Sequence, residues 1–139
     1  MKKEFVSVLS TISSDLPFYE RLSEMQRVAM AEGWRWPEIS PVIAKTEEEL
    51  NEVKEAIAAG RRNEIVEELG DLIFMATLLC HYMDVTPAEA IESVAKKFAG
   101  RFGHVERRAF ESGRRLTEVP HEEERQWYME FKLQEKKQA

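Results

Sequence analysis

Two pairs of acidic residues at helical spacing are the feature of this sequence that most directly predicts chemistry. Glu49 and Glu52 form the first pair, and Glu68 and Asp71 form the second. Residues three apart on an α-helix lie one turn apart on the same surface. If the two segments are helices packed antiparallel, as a short turn at residues 60–62 favours, the four carboxylates converge.

The surroundings of Asp71 predict that these acids are more than a solvated surface. Its neighbours are apolar, namely Leu69, Leu72, Ile73 and Met75. A carboxylate in such surroundings is costly to desolvate unless it is paired or bound to a cation. Four close carboxylates also repel one another unless a divalent ion lies among them.

The ligand types indicate which metal such a site would hold. All-carboxylate ligation favours Mg²⁺, with Mn²⁺ as a substitute, over Zn²⁺, because no cysteine or suitably placed histidine supplies a softer ligand. A metal ion held in this way keeps coordination positions free for phosphate oxygens and water. Such an ion suits hydrolysis of phosphoesters or phosphoanhydrides. The alternative is a solvated acidic helix face over residues 47–52, which is common for an isolated acidic pair. The second pair makes the metal site as well supported as this alternative.

Composition excludes several classes of protein. The chain has 139 residues and a net charge of −6, which predicts one domain over residues 1–139 and argues against a nucleic-acid partner. Its longest apolar run, residues 72–80, is shorter than the about 20 residues of a membrane span. The N-terminus is too weakly apolar for a secretory signal. The single cysteine, Cys80, favours a reducing, cytoplasmic setting.

Apolar periodicity and capping residues predict an all-α fold. We expect five helices, at about residues 18–32, 40–59, 63–83, 87–112 and 121–137. Ser40 and Asn63 are the expected N-caps of the second and third helices. Thr86 and Glu89 form a capping box at the start of the fourth.

The third predicted helix is apolar nearly all round from Leu69 to Met83, so we expect it to be the most buried element. One small chain covers only part of that circumference, and a second subunit would cover the rest. The expected architecture is an antiparallel four-helix-type bundle with an additional C-terminal helix, which dimerises. In the fourth helix the expected buried residues include Ile91, Val94 and Phe98.

The acidic motifs resemble those of the MazG-type nucleoside triphosphate pyrophosphohydrolases. Glu48, Glu49 and Glu52 match an EExxE motif, and Glu68 and Asp71 match the ExxD motif that follows it. The similarity extends over about residues 15–132, through segments that include residues 33–37, Lys97-Phe98, Arg101-Phe102 and Trp127. It implies an all-α bundle, a dimer or a dimer of dimers, that uses Mg²⁺ and splits a nucleoside triphosphate between its α and β phosphates.

The resemblance also implies a role for each matching residue. The implied metal ligands are Glu49, Glu52, Glu68 and Asp71. Glu48 would orient or deprotonate the attacking water. The implied substrate contacts are Lys45, Lys97, Arg101 and, beside the nucleotide, Trp127. Two positions depart from the family pattern and bear on substrate preference: Ala95 replaces a frequent asparagine, and Glu64 replaces a basic residue.

Other candidate residues have structural interpretations that we favour. Trp34 and Trp36 flank a proline turn and are expected to be packing anchors, with stacking on a base as the alternative. His81 is expected to be a core histidine with a hydrogen-bond partner. The ExxH of residues 118–121 occurs once and contains a proline, which excludes a di-iron bundle that needs the motif on two helices.

The sequence therefore predicts a cytoplasmic, Mg²⁺-dependent enzyme that hydrolyses nucleoside triphosphates and has no nucleic-acid or membrane partner. Two alternatives keep the fold and change the substrate: a dUTPase-like enzyme and a phosphoribosyl-ATP pyrophosphohydrolase. A third is a non-catalytic helical interaction or regulatory protein. The base and sugar preference does not follow from the sequence.

Overall fold

The computed structural model describes residues 1–139 and contains helices but no β-strand. Its α-helices are α1 (Phe18–Ala31), α2 (Ile39–Ala59), α3 (Arg62–Tyr82), α4 (Pro87–Glu111) and α5 (His121–Gln138). Short 3₁₀ turns at Val8–Thr11 and Leu116–Glu118 precede α1 and α5. None of the helices combines the length and apolar character that crossing a bilayer requires. The predicted all-α class with five helices is confirmed.

Two helix ends follow directly from local chemistry. The backbone N–H of Thr86 donates to Glu89 Oε2 at 2.7 Å, and the N–H of Glu89 donates to Thr86 Oγ1 at 3.1 Å. This is the predicted capping box, and it fixes the start of α4. Gly60 ends α2 with a φ of +67°, a left-handed conformation that glycine adopts without a Cβ clash. Only Gly60 and Arg61 then separate α2 from α3.

The two predicted N-caps, Ser40 and Asn63, are each wrong by two positions, since the N-caps are Glu38 and Arg61. α2 begins at Ile39, so Ser40 lies in its first turn, and α3 begins at Arg62, so Asn63 is already helical. A first-turn proline is tolerated because its missing N–H has no intrahelical partner there, which lets α2 start upstream of Pro41. The short connection after Gly60 forces α3 to begin at once.

The chain forms two compact units, residues 1–90 and 91–139. In the first unit α2 and α3 pack along each other as an antiparallel hairpin, and α1 packs on α3. Val42, Met75 and Leu78 form the buried centre of this unit, with Met30 and Tyr82 packed against it. The unit therefore places one side of α2 and α3 beneath α1.

The prediction that α3 is the most buried helix is wrong for the single chain. Only Met75 and Leu78 of α3 are buried, whereas Ile73 is 60% exposed and Val66 and Leu69 are also exposed. The reason is geometric, because α1 and α2 cover only part of the circumference of α3.

The second unit has its own small core around Trp127, which packs with Val105, Ala109 and Val119. The expected burial of Ile91, Val94 and Phe98 is wrong, since all three side chains are exposed. The contacts between α4 and α5 run from Gly100, which faces Phe131, toward the C-terminal end of α4. α5 therefore leaves these earlier positions of α4 uncovered.

Candidate functional site

Three acidic side chains from α2 and α3 meet in the first unit. Carboxylate oxygens of Glu49, Glu68 and Asp71 all lie within 4.8 Å of one another. The antiparallel hairpin brings Glu49 on α2 opposite Glu68 and Asp71, which lie one turn apart on α3. We call these three residues the acidic cluster. Such a spacing lets several carboxylate oxygens reach one divalent cation.

Glu52, the fourth predicted ligand, lies outside this group but close enough to affect it electrostatically. The pKa of Glu68 is raised above its ordinary value, first by desolvation and then by the charges of Glu52, Asp71 and Glu49. The protein therefore disfavours the charged form of Glu68. A bound cation would reverse that preference by offsetting the neighbouring negative charges.

The buried member of the acidic cluster is Glu49, and the expectation that Asp71 is the desolvated one is wrong. Glu49 is 7% exposed, whereas Asp71 lies on an exposed part of α3. The apolar neighbours of Asp71 in the sequence do not bury it, because Leu69 and Ile73 are themselves exposed.

Lys45 compensates the buried charge of Glu49. Its Nζ lies 2.9 Å from Glu49 Oε1 and 3.0 Å from Glu48 Oε1. These two carboxylates raise the pKa of Lys45 well above its ordinary value, chiefly through the hydrogen bond with Glu49. The side chain of Glu48 is 57% exposed, so this acid stands at the rim of the site.

A cavity of about 730 Å³ opens beside the acidic cluster. Lys45, Glu49 and Asp71 line one part of it. Its aromatic wall residues are Trp34, Trp36, Phe74 and Tyr82. The cavity has the size of a small-molecule pocket, and it combines charged groups with flat apolar surfaces.

The expectation that Trp34 and Trp36 are packing anchors is wrong. Trp34 is 81% exposed, and Trp36 is also exposed, although both border the cavity. Gly33 starts this segment with a φ of +95°, and the hydroxyl of Tyr82 donates to the carbonyl of Trp36 at 2.8 Å. The turn after α1 thus places two indoles at the mouth of the cavity.

Gln26 on α1 is a cavity residue that sequence reasoning missed. It is 3% exposed; its Nε2 donates to the carbonyl of Phe74 at 2.8 Å, and its Oε1 has no hydrogen-bond partner. The available signal was its position, because Leu22 and Met30 lie four residues before and after it on the inner side of α1. A buried amide between apolar residues at helical spacing is unusual.

His81 has the environment expected of it. It is half-buried, and its Nε2 lies 3.3 Å from the hydroxyl of Ser23. Burial lowers its pKa below the ordinary value.

The remaining predicted substrate contacts belong to the second unit. Lys97 is exposed on α4. Arg101 is paired with Glu135 through Nε at 3.1 Å and one terminal nitrogen at 3.0 Å. Trp127 is 6% exposed within the core of this unit. Their contact with a nucleotide stays a prediction, and the packing around Trp127 gives this indole a structural role as well.

Comparison with known proteins identifies a family and several relatives. Residues 18–98 match the family described as phosphoribosyl-ATP pyrophosphohydrolase. The chain is 32% identical over 118 residues, 85% of its length, to the nucleoside triphosphate pyrophosphohydrolase/pyrophosphatase MazG of Thermotoga maritima, covering 45% of that protein. It is 30% identical over 133 residues, 93% of its length, to the nucleoside triphosphate pyrophosphohydrolase of Escherichia coli, covering 50% of it.

A third relative is the phosphoribosyl-ATP pyrophosphatase of Geobacter sulfurreducens, 36% identical over 69 residues, which are 50% of this chain and 63% of that protein. The chain spans about half the length of the two nucleoside triphosphate pyrophosphohydrolases that it matches. The matched family segment contains all of α2 and α3, and therefore the whole acidic cluster.

Proposed function

This chain belongs to the phosphoribosyl-ATP pyrophosphohydrolase family and is similar over most of its length to MazG-type nucleoside triphosphate pyrophosphohydrolases, and on that premise we propose that it hydrolyses nucleoside triphosphates. Water adds across the anhydride between the α and β phosphates, and the products are a nucleoside monophosphate and pyrophosphate. The observation that carries this proposal is the acidic cluster at the edge of a cavity with aromatic walls.

The residues present suit a divalent cation. Three carboxylates within 4.8 Å of one another supply hard oxygen ligands, and the raised pKa of Glu68 reflects desolvation first and the neighbouring negative charges second. We assign Glu49, Glu68 and Asp71 as ligands, with Glu52 completing the set, and Mg²⁺ as the metal, with Mn²⁺ as a substitute. A bound ion would neutralise the triphosphate and lower the pKa of a coordinated water.

The chain's own side chains supply the remaining functions in this proposal. Glu48, exposed at the rim, orients the attacking water or accepts its proton. Lys45 contacts the triphosphate in this proposal. Its ammonium group is shared by the carboxylates of Glu48 and Glu49, and the triphosphate, as a polyanion, competes with them for it. The family resemblance alone supports three further substrate contacts, namely Lys97, Arg101 and Trp127.

We also propose that the chain forms a dimer or a dimer of dimers of helical bundles and acts in the cytoplasm. The support for dimerisation is the apolar surface that α3 leaves uncovered at Val66, Leu69 and Ile73. Exposed aliphatic side chains in a row on a central helix are typical of a subunit interface. The acidic charge balance supports a small-molecule substrate over nucleic acid.

A second candidate substrate is phosphoribosyl-ATP. The family description and the Geobacter sulfurreducens relative favour it. It contains the same α–β phosphoanhydride, so the acidic cluster would serve both reactions.

Pyrophosphate release tests the proposal directly. The protein is incubated with each ribo- and deoxyribonucleoside triphosphate and with phosphoribosyl-ATP, with Mg²⁺ and with chelator. We expect monophosphate and pyrophosphate only when the metal is present. Diphosphate plus orthophosphate would contradict the assigned bond, and no product from any substrate would favour a non-catalytic role.

A further inference from the structure

The buried Gln26 side chain has no role in the chemistry assigned so far. We propose that its Oε1 accepts a hydrogen bond from the exocyclic amino group of the substrate's base, so that the site selects adenine or cytosine over hypoxanthine or uracil. This inference rests on the proposed function, because it names a base specificity for the same cavity.

The hydrogen bond to Phe74 fixes which end of the Gln26 amide is free. A backbone carbonyl only accepts, so the atom 2.8 Å from the Phe74 oxygen must be the NH₂ nitrogen. Rotating the amide by half a turn would place two acceptors against each other. Oε1 therefore remains as a pure acceptor without a partner.

An unpaired buried acceptor is costly, and few are left in folded proteins. A ligand that brings a donor to Oε1 would remove that cost. Phosphate oxygens are acceptors and cannot do so. The donor must therefore come from the nucleoside part of the substrate.

The residues that line the cavity next to Gln26 favour binding of the base over binding of the ribose. Leu22, Ala29 and Met30 lie one turn away on the same helix and line the cavity, and Trp34 stands at its mouth. These groups offer apolar and aromatic surfaces that suit the two faces of a heterocycle. A sugar carrying hydroxyls on several sides would leave some of them unpaired there.

The fixed acceptor also decides which bases fit. Adenine and cytosine carry an exocyclic amino group, which projects from the ring and donates. Hypoxanthine and uracil carry a carbonyl at the corresponding position, where two facing acceptors repel, and their ring N–H lies one atom away, so they reach Oε1 only in a shifted pose. Guanine carries its amino group at a different ring position and would also have to shift. A site that pairs a substrate N–H discriminates strongly against an analogue that lacks it.

Oε1 is sealed from solvent, so neighbouring side chains must move when the base enters. Met25 and Met30 line the cavity beside Gln26. Their unbranched thioether chains repack easily. Admission of the base therefore requires movement of these side chains.

The test compares substrates that differ only in this group. Wild-type kcat/KM is measured for ATP against ITP and for CTP against UTP, and purine riboside triphosphate serves as the analogue with neither amino nor carbonyl group. Of these two pairs, we consider the one that contains the substrate with the higher kcat/KM. In that pair we expect kcat/KM of the substrate with the amino group to exceed that of its partner by about tenfold or more. Equal rates, or faster hydrolysis of ITP and UTP, would overturn the inference.

A variant then assigns the preference to the residue. Gln26→Met keeps the side-chain length and removes the acceptor. The ratio of kcat/KM between the substrate with the amino group and its partner should therefore fall toward one. The control is Gln134→Met, the same change at an exposed position on α5, which should keep the wild-type ratio. A Gln26→Met protein that retains the preference, or that loses discrimination between ATP and dATP instead, would contradict the base assignment. If Gln26→Met does not fold, the wild-type comparison of ATP with purine riboside triphosphate decides, because these two substrates differ only in the amino group, and equal kcat/KM values for the two would contradict the inference.

Failure of the inference and failure of the proposed function give different results. If wild-type protein hydrolyses triphosphates without an amino preference, only the inference fails. If it hydrolyses none, the proposed function fails, and the intact nucleotides are compared by calorimetry. Tighter binding of ATP than ITP, or of CTP than UTP, would then still support Gln26 as the base contact, and equal binding would exclude it.

Discussion

Lys45 and Glu49 form an ion pair with 2.9 Å between Nζ and Oε1, and the glutamate of this pair is the buried member of the acidic cluster. The lysine therefore occupies the same carboxylate that a metal would use. A cation that binds Glu49 would weaken the ion pair between Glu49 and Lys45. The ammonium group of Lys45 would then be available to an anion in the cavity. Metal binding and phosphate binding are thus expected to support each other.

Removing the lysine should separate these effects. In Lys45→Met, Glu49 keeps a buried charge without its partner, so the thermal midpoint in chelator should fall. The affinity for Mg²⁺ should rise several-fold because the competing cation is gone, while KM for the triphosphate should increase. Melts in chelator measure the midpoint, calorimetry with Mg²⁺ measures the affinity, and steady-state kinetics measure KM. Lys54→Met, an exposed lysine of the same helix, should behave as wild type; weaker Mg²⁺ binding by Lys45→Met would refute the competition.

Glu48 and Glu49 are adjacent but have different assignments. Glu48→Gln should reduce kcat by about 10²–10⁴-fold while Mg²⁺ affinity stays near that of wild type, because its role is proton transfer or water orientation. Glu49→Gln should lose Mg²⁺ affinity as well as activity. Equal losses of Mg²⁺ affinity in the two variants would show that the roles are misassigned.

Asp71→Asn should stabilise the metal-free protein slightly. Asp71 is exposed, so the gain comes only from reduced repulsion with Glu68 and Glu49, and we expect a rise in Tm of about 1 °C in chelator. The increase in Tm on adding Mg²⁺ should be largely lost, because a ligand is missing. A destabilised variant with an undiminished Mg²⁺ response would instead make Asp71 a structural residue.

The uncovered side of α3 predicts the oligomeric state. Light scattering at micromolar concentration should give a multiple of 16.2 kDa for the wild-type chain. Ile73→Glu places a charge on the exposed apolar surface and should yield a monomer with unchanged helix content. Leu133→Glu, an exposed leucine on α5, serves as the control. A stable wild-type monomer would remove the argument for dimerisation.

The second unit contains an ion pair that should respond to pH. Arg114 binds both oxygens of Glu123, at 2.9 and 2.6 Å, and this lowers the pKa of Glu123 below its ordinary value. The folded state therefore favours the charged carboxylate. This contribution to stability is complete above the ordinary carboxyl pKa and is lost as pH falls through the lower, folded pKa. Melts at several pH values should show Glu123→Gln less stable than wild type near pH 7, with the difference shrinking as pH falls below the ordinary carboxyl pKa. A difference independent of pH would indicate a packing effect.

The helices could be predicted from the sequence because their signals are local. The capping box of Thr86 and Glu89 and the turn that begins at Gly60 each depend on a few adjacent residues, and both are found where the sequence placed them. Local patterns do not determine which side of a helix its neighbours cover. The expected burial of Phe98 and Asp71 was wrong for that reason.

The candidate site was predictable in part for the same reason. The spacing of Glu68 and Asp71, together with a short turn after α2, was enough to anticipate that acids from two helices would meet. The cavity beside them depends on how α1 and the turn after it lie over α3. Gln26 and Trp34 acquire their positions only through that packing, so no short motif identified them.

The connection of only Gly60 and Arg61 between α2 and α3 has a consequence for folding. A hairpin with so short a loop loses little chain entropy on closing, and local contacts of this kind form early. All three residues of the acidic cluster lie within the hairpin, so they come together as soon as it closes. During synthesis this segment leaves the ribosome before residues 91–139. We therefore expect the acidic cluster to be in place while the rest of the chain is still being made.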